Sequence, residues 1–466
     1  MSTHEPSPNV LLVLTRQQRW DTVGAYGNPM GLTPTLDELA AQGTLLKQAI
    51  TPQPTCSAGK VSMLTGKYAT EVGVWRGSQP VFDERTLGHY FSEAGYDVGF
   101  VGGWHLAGTF DEPVPPEKRG GFEDFWIGAD SAEFTTRPNE GTLYDEDGTP
   151  VEFDGYRADA FTDFAETAIE SLEDPFCLVV SYLEPHHQND MQTFVAPDGY
   201  AERHTLNPYI PDDLQGRPGD WYEELPDYYG MCKRLDECVS RLLRTLEDEG
   251  SRDDTIVAYT SDHGCHFRTR PGEYKRTCHE SAVRVPAILS GPGFDTRRTI
   301  DQVRSLVDLG PTLLDAAGVA IPTEMDGESF LPLARGEAPE REGEAFIQIS
   351  EAEIGRAVRT DRWKYAISAP SENGWRAGSG DPDSNVYMER YLYDLHRDPA
   401  ESVNLIGRHD YQDVADSLRE RLRTYLQDVE GADPEIRTFD VPGYHDLAMR
   451  ANPVRFGYRN QSSGFE

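Results

Sequence analysis

Three uninterrupted apolar runs constrain this chain most: Asn9-Val10-Leu11-Leu12-Val13-Leu14, Phe176-Cys177-Leu178-Val179-Val180 and Thr255-Ile256-Val257-Ala258-Tyr259. A strand with one wet face alternates apolar and polar side chains. A run that is apolar at every position is buried on both faces, as in a parallel sheet covered by helices. Helical periodicity over 34–42, 86–94, 159–172 and 228–249 supplies the covering layers. The chain is therefore expected to be α/β, with a large, mostly parallel sheet between helical layers. After a cluster of Pro, Gly and Glu over 338–344, short strands over 345–349, 355–360, 363–366 and 391–395 and a last helix over 414–429 predict a small C-terminal antiparallel sheet with a helix. The expected division is a main domain over 7–340, a C-terminal α+β subdomain over 345–430 and an irregular tail over 431–466.

Each apolar run ends in residues with chemistry to offer. The first runs into Thr15-Arg16-Gln17-Gln18-Arg19-Trp20-Asp21-Thr22, the second into Glu184-Pro185-His186-His187 and the third into Ser261-Asp262-His263-Gly264. In open α/β sheets the crevice beyond the strand ends is where ligands bind. Three further segments carry reactive side chains: Cys56-Ser57-Ala58-Gly59-Lys60 followed by Val61-Ser62-Met63-Leu64-Thr65-Gly66, then Gly102-Gly103-Trp104-His105-Leu106, then Gly272-Glu273-Tyr274-Lys275.

These six segments, taken in their order along the chain, resemble the sulfatase family of the alkaline-phosphatase superfamily. The Cys56 segment is similar to that family's Cys-x-Pro-x-Arg or Cys-x-Ala-x-Arg pattern, in which another enzyme oxidises the cysteine to formylglycine. The resemblance implies that Cys56 becomes the nucleophile and that Lys60, His105, His186 and Lys275 complete the catalytic set. It implies that Gln17, Asp262 and His263 hold a calcium or magnesium ion; Arg16, Arg137 and His187 are the expected substrate contacts. Ser305-Leu306-Val307-Asp308-Leu309-Gly310-Pro311-Thr312 resembles another sulfatase segment without chemistry. The expected reaction is hydrolysis of a sulfate monoester, which requires a nucleophile, a cation beside the sulfuryl oxygens and a donor for the leaving oxygen.

Three positions depart from the family pattern. Arg16 stands where a metal-binding Asp is expected, Lys60 where an Arg is expected and Gly103 where a Lys is expected. A guanidinium has no acceptor and cannot ligate a hard cation. Over these positions the family carries one negative and two positive charges, a sum of plus one, whereas this chain carries two positive charges, a sum of plus two. Attraction for anions survives, and Arg16 is able to grip a sulfate in bidentate fashion. Two other readings stay open: a homologue that binds anions without turnover, and a hydrolase of phosphate or phosphonate esters.

The balance of 80 Asp and Glu against 43 Lys and Arg gives a formal net charge of -37. So acidic a chain repels itself unless salt screens it, and at molar salt the Debye length is about 3 Å. The expected setting is the cytoplasm of a halophile. Such charge argues against nucleic acid and anionic membrane as partners. Met1 to Pro8 lack a basic start and an apolar core, and no apolar run reaches 18 residues. Six cysteines do not suggest a disulfide scaffold, and the pairs Cys265-His266 and Cys278-His279 lack the Cys-x-x-Cys spacing of a zinc site. The segment 131–137 and the insert 190–221, with Arg137, Tyr200 and Trp221, are expected to line the pocket for a small sulfated substrate, whose alcohol is open among aryl, choline and sugar.

Overall fold

The computed structural model describes residues 7–77, 79–81, 84–270, 272–338, 342–370 and 382–438. The three apolar runs form the middle of a 12-stranded sheet as the strands Asn9–Thr15, Phe176–Ser181 and Thr255–Ser261. With Asp97–Gly103 and Phe125–Ala129 they make a block of parallel neighbours. The order across it is Thr255–Ser261, Asn9–Thr15, Phe176–Ser181, Asp97–Gly103, Phe125–Ala129. Alternation of side chains splits one strand between two cores. Val10, Leu12 and Leu14 join the cluster beneath the helices Cys56–Thr65, Leu87–Glu93 and Leu309–Ala316. Leu11 and Val13 join the opposite cluster, beneath Arg157–Ser171 and Trp221–Asp248. Both faces are covered, which is why these strands carry no polar alternation.

Outside the block the sheet is mixed. Ala287–Ser290 runs antiparallel to Thr255–Ser261, Thr44–Ile50 runs antiparallel to Ala287–Ser290, and Arg298–Ser305 is parallel to Thr44–Ile50. At the other edge Glu140–Tyr144 is antiparallel to Phe125–Ala129. The helix expected over 228–249 begins earlier, at Trp221, and contains Pro226. Its first turns are acidic and lack apolar periodicity, but Glu223 and Glu224 suit the positive end of the helix dipole. Among the described residues no helix is long and apolar enough to cross a membrane.

A second, five-stranded sheet takes Glu344–Ile349, Gly355–Thr360, Trp363–Ser368 and Val386–Asp394 in antiparallel order. The helix Gln412–Glu430 lays Leu418, Leu422 and Leu426 against it. The strand read from Tyr391 starts at Val386, because its first residues alternate between half-buried and buried and give no continuous apolar run. Glu435–Arg437, expected to be irregular, instead pairs in parallel with Val386–Asp394 and buries Ile436 in the same cluster. The remainder of the expected tail, 439–466, lies outside the described residues.

Candidate active site

The parallel strands end level with one another. Thr15 pairs with Ser261, Leu14 with Ser181, and Ser181 with Gly102. The residues that follow each strand therefore emerge at one edge, and 200 residues of intervening chain become irrelevant to their separation. Cys56 is brought there by the helix Cys56–Thr65, every residue of which is buried. Gly59 lets this helix lie against the end of the Thr255–Ser261 strand, since a Cβ at that position would sit 2.6 Å from the carbonyl oxygen of Asp262. Gly66 ends the helix at φ 67°, where a side chain would be strained and would also meet Met325.

Lys275 is the hub of the site. Its ammonium has three N–H donors and meets three acceptors: Cys56 Sγ at 2.8 Å, His186 Nε2 at 3.0 Å and His263 Nε2 at 3.1 Å. Each histidine presents Nε2 because its Nδ1 faces a backbone carbonyl, that of His187 for His186 and that of Gly264 for His263. Burial, with the Lys275 charge beside it, pushes His186 down to about 3, so its imidazole is neutral. His187 stacks on His186 at 4.4 Å and on Tyr274 at 4.4 Å, and its Nδ1 lies 3.3 Å from Gln17 Oε1.

Burial by itself would raise the Cys56 thiol, but Arg16, Lys275 and His263 outweigh it and hold the thiol well below its ordinary value. The start of a helix adds positive potential at the same place. The other buried cysteines with a resolved shift are pushed up instead, as an apolar setting requires. Cys56 is thus the one among them whose thiol is held below its ordinary value.

Arg16 enters from the opposite side. Nη1 lies 2.8 Å from His105 Nε2 and 3.3 Å from Glu133 Oε2, and the same His105 nitrogen lies 2.8 Å from that carboxylate. Glu133, on the short helix Ala132–Thr135, would be raised by burial but is held well below the usual carboxylate range by His105 and Arg16. It belongs to no recognisable motif; the only signal was its place in the segment expected to line the pocket. Asp130 is a second silent residue. Its carboxylate accepts from the backbone N–H groups of Ala107, Thr109 and Phe110 and so holds the loop after His105.

Of the residues expected at the site, Cys56, His105, His186, His187, Lys275, Gln17, Asp262, His263 and Arg16 do converge on this edge. Lys60 goes beneath it. Its Nζ donates to the carbonyl oxygens of Gly103 and Trp104 and to Ser181 Oγ. Burial, aided by the Arg16 charge, brings Lys60 down from 10.5 to about 7. A lysine with a lowered native pKa binds fewer protons folded than unfolded between those values. The penalty for burying its charge is fully present below about 7 and is relieved as pH rises toward 10.5. The stability of the protein relative to Lys60→Met should therefore rise by up to about 1.4 kcal/mol per pH unit across that window, as read by urea unfolding. Parallel pH profiles for the two proteins would show that Lys60 does not titrate there.

Arg137 is exposed and pairs with Asp190 at 3.6 Å. It lines a cleft of about 510 Å³ together with Glu133, Phe134, Glu140, Glu152 and Asp190. Tyr200 and Trp221 are engaged elsewhere, the first donating to Glu237 and the second to the carbonyl of Arg217.

Cys56, Asp262 and His263 offer ligand atoms within 4.8 Å of one another, with Gln17 adjacent. They do not fit a divalent cation beside Asp262, because the Arg16 guanidinium is already there, with Nε 3.7 Å from Asp262 Oδ2. Burial raises the Asp262 carboxyl above its ordinary value, an effect that the charges of His263 and Arg16 only partly offset.

Comparison with known proteins matches residues 8–319 to the Sulfatase family and residues 272–377 to the C-terminal family of N-sulphoglucosamine sulphohydrolase. An ulvan-active sulfatase of Formosa agariphila is 28% identical over 97% of this chain and 87% of its own length. A sulfatase structure from Bacteroides fragilis superposes with a TM-score of 0.75 at 23% identity, covering 92% of this chain and 97% of that one. The phosphonate monoester hydrolase of Agrobacterium radiobacter shares the fold at a TM-score of 0.64 and 22% identity, covering 90% and 95%.

Proposed function

The chain belongs to the sulfatase family, and from that premise we propose that it hydrolyses a sulfate monoester at Cys56. The observation that carries this reading is the grip of Lys275 on Cys56 Sγ, at 2.8 Å, with His263 Nε2 3.3 Å from the same sulfur. In members of the family in general this cysteine is oxidised by another enzyme to formylglycine, whose hydrate supplies the attacking oxygen. The setting suits such a group, because the atoms around Sγ are N–H donors and imidazole nitrogens rather than apolar surface. Lys275 would draw the sulfuryl group in by charge. His186 and His263, whose Nε2 atoms both face Lys275, would take or return protons at Nε2. His105, tied to Glu133, would contact the leaving side, and Arg16 a sulfuryl oxygen. The cleft past Glu133, with Arg137, would take the alcohol.

The partners under this reading are a small sulfated substrate and a maturation enzyme that acts on Cys56. The unit carrying the chemistry is 7–340, with 345–430 as its C-terminal subdomain. The charge of -37 supports a salt-rich cytoplasmic setting.

Two features favour a second reading, an anion-binding homologue without turnover: Arg16 at the expected metal position, and Gly103, around which a Cβ would find ordinary contacts 3.5 Å from Ala132 and 3.7 Å from His105, with no lysine to fill the space. The test is a panel of 4-nitrophenyl sulfate, phosphate and phenylphosphonate esters at high salt. Turnover of the sulfate ester, at least tenfold above the others, is expected. Faster phosphonate cleavage would favour the chemistry of the Agrobacterium neighbour, and thermal stabilisation by sulfate with no product from any ester would favour the inert homologue.

A further inference from the structure

We infer that the Arg16 guanidinium takes the place of the divalent cation, so that this site binds its anionic ligand without a metal. The inference rests on the family reading of the site but not on turnover, since an inert protein would leave it standing.

The geometry is that of a cation already in residence. Arg16 is 2% exposed. Two carboxylates flank it, Glu133 at 3.3 Å from Nη1 and Asp262 at 3.7 Å from Nε. Among the described residues neither Arg16 Nε nor Asp262 Oδ2 has a hydrogen-bond partner, although both are buried. They face each other just beyond bonding distance, so each is the group best placed to satisfy the other. Asp262 Oδ1 accepts from the Gln17 backbone N–H at 3.0 Å, so Oδ2 is the carboxylate oxygen left free to ligate a cation, and the cation facing it is the guanidinium.

Charge accounting leads to the same place. A carboxylate at position 16 with a bound divalent cation would sum to plus one, and Arg16 alone is plus one. The potential felt by an anion at Cys56 is thereby kept while the ion itself becomes superfluous. Adding a divalent ion to the existing arrangement would place two further charges within a few ångströms of a guanidinium that cannot deprotonate, a strong repulsion in a water-poor site. The guanidinium also brings directed N–H donors, which a sphere of charge lacks. Glu133 is the positioning residue. By accepting from Nη1 it sets the plane of the fork, and by meeting His105 at 2.8 Å it ties that fork to the far wall. The remaining charged and titratable groups facing Arg16 include Cys56, His186 and, below the site, Lys60.

The experiment compares the full chain with Arg16→Asp by calorimetric titration with calcium chloride and by thermal unfolding with and without EDTA, each repeated with sodium sulfate as the anion probe. The unaltered protein should give no saturable calcium heat, a Tm unchanged by EDTA, and sulfate stabilisation that EDTA does not alter. Arg16→Asp should gain one calcium equivalent with a dissociation constant in roughly the micromolar to millimolar range. Its sulfate stabilisation should become calcium-dependent. One calcium equivalent bound by the unaltered protein would overturn the inference. So would an Arg16→Asp protein that folds but still ignores calcium, because the guanidinium would then not be standing where an ion can. If Arg16→Asp does not fold, the titration of the unaltered chain decides: no saturable heat supports the inference, and one equivalent refutes it. Failure of the ester panel would bear on none of these readouts.

Discussion

Cys56→Ala is expected to lower kcat for a sulfate ester by at least about 1,000-fold, the scale on which loss of a nucleophile is felt when binding and charge stabilisation remain. The substitution removes one sulfur atom from the first residue of a fully buried helix and leaves its packing face untouched. Lys275 keeps two of its three acceptors, His186 and His263. Near-UV circular dichroism should accordingly be unchanged, which separates loss of chemistry from loss of fold. The companion measurement is the mass of the proteolytic peptide that carries Cys56 in active protein. An aldehyde there ties activity to maturation, whereas an unmodified thiol in protein that turns over sulfate esters would assign the attack to the cysteine sulfur itself. Retention of activity in Cys56→Ala would remove Cys56 from the reaction and with it the proposed function.

The second large effect concerns the seam between the two sheets. Lys364 has a side chain with 0% exposure and donates to Glu280 Oε1 at 2.8 Å and Glu401 Oε1 at 2.8 Å. Arg359 meets both oxygens of Glu280 at 3.2 Å. Glu280 belongs to the main-sheet side, at the start of the Glu280–Val283 helix, while Lys364 and Arg359 belong to the smaller sheet. Lys364→Met keeps the bulk of the stem but leaves the buried Glu401 carboxylate facing a methyl group, while Glu280 retains Arg359. Breaking such a cluster from one side costs about 3–5 kcal/mol, a fall in Tm of roughly 3–5 °C for a chain of 466 residues. Burial would raise Glu280, but Arg359 and Lys364 hold it below the usual carboxylate range. Its contribution is therefore complete above the unfolded carboxylate value and is lost as pH falls through the native one. Urea unfolding at neutral pH checks the magnitude, and a change below about 1 kcal/mol would mean that water enters the seam and screens it.

Much of the site was legible before any coordinates. The three apolar runs announced strands covered on both faces, and the polar residues just beyond them were placed by topology alone. Cys56, Asp262, His263, His186 and Lys275 were readable because their neighbours in sequence repeat a known pattern. Glu133 was not, since it reaches His105 and Arg16 from a four-residue helix without periodicity or motif. Asp130 works only through backbone N–H groups, which leave no trace in residue identity. Lys60 kept its charge by type but was assigned to the reacting group, whereas its chain turns down to the carbonyls of Gly103 and Trp104.

What the chain's residues determined by themselves is the kind of sheet, the order of its elements and the chemical types that gather at its end, because burial on two faces and strand length are local properties of composition and spacing. What only the tertiary structure decided is where the charges point. Whether Arg16 faces an anion, a carboxylate or a metal depends on groups 117 and 246 residues away, Glu133 and Asp262. Electrostatic energy falls with distance and rises with burial, and neither quantity is written in the order of residues.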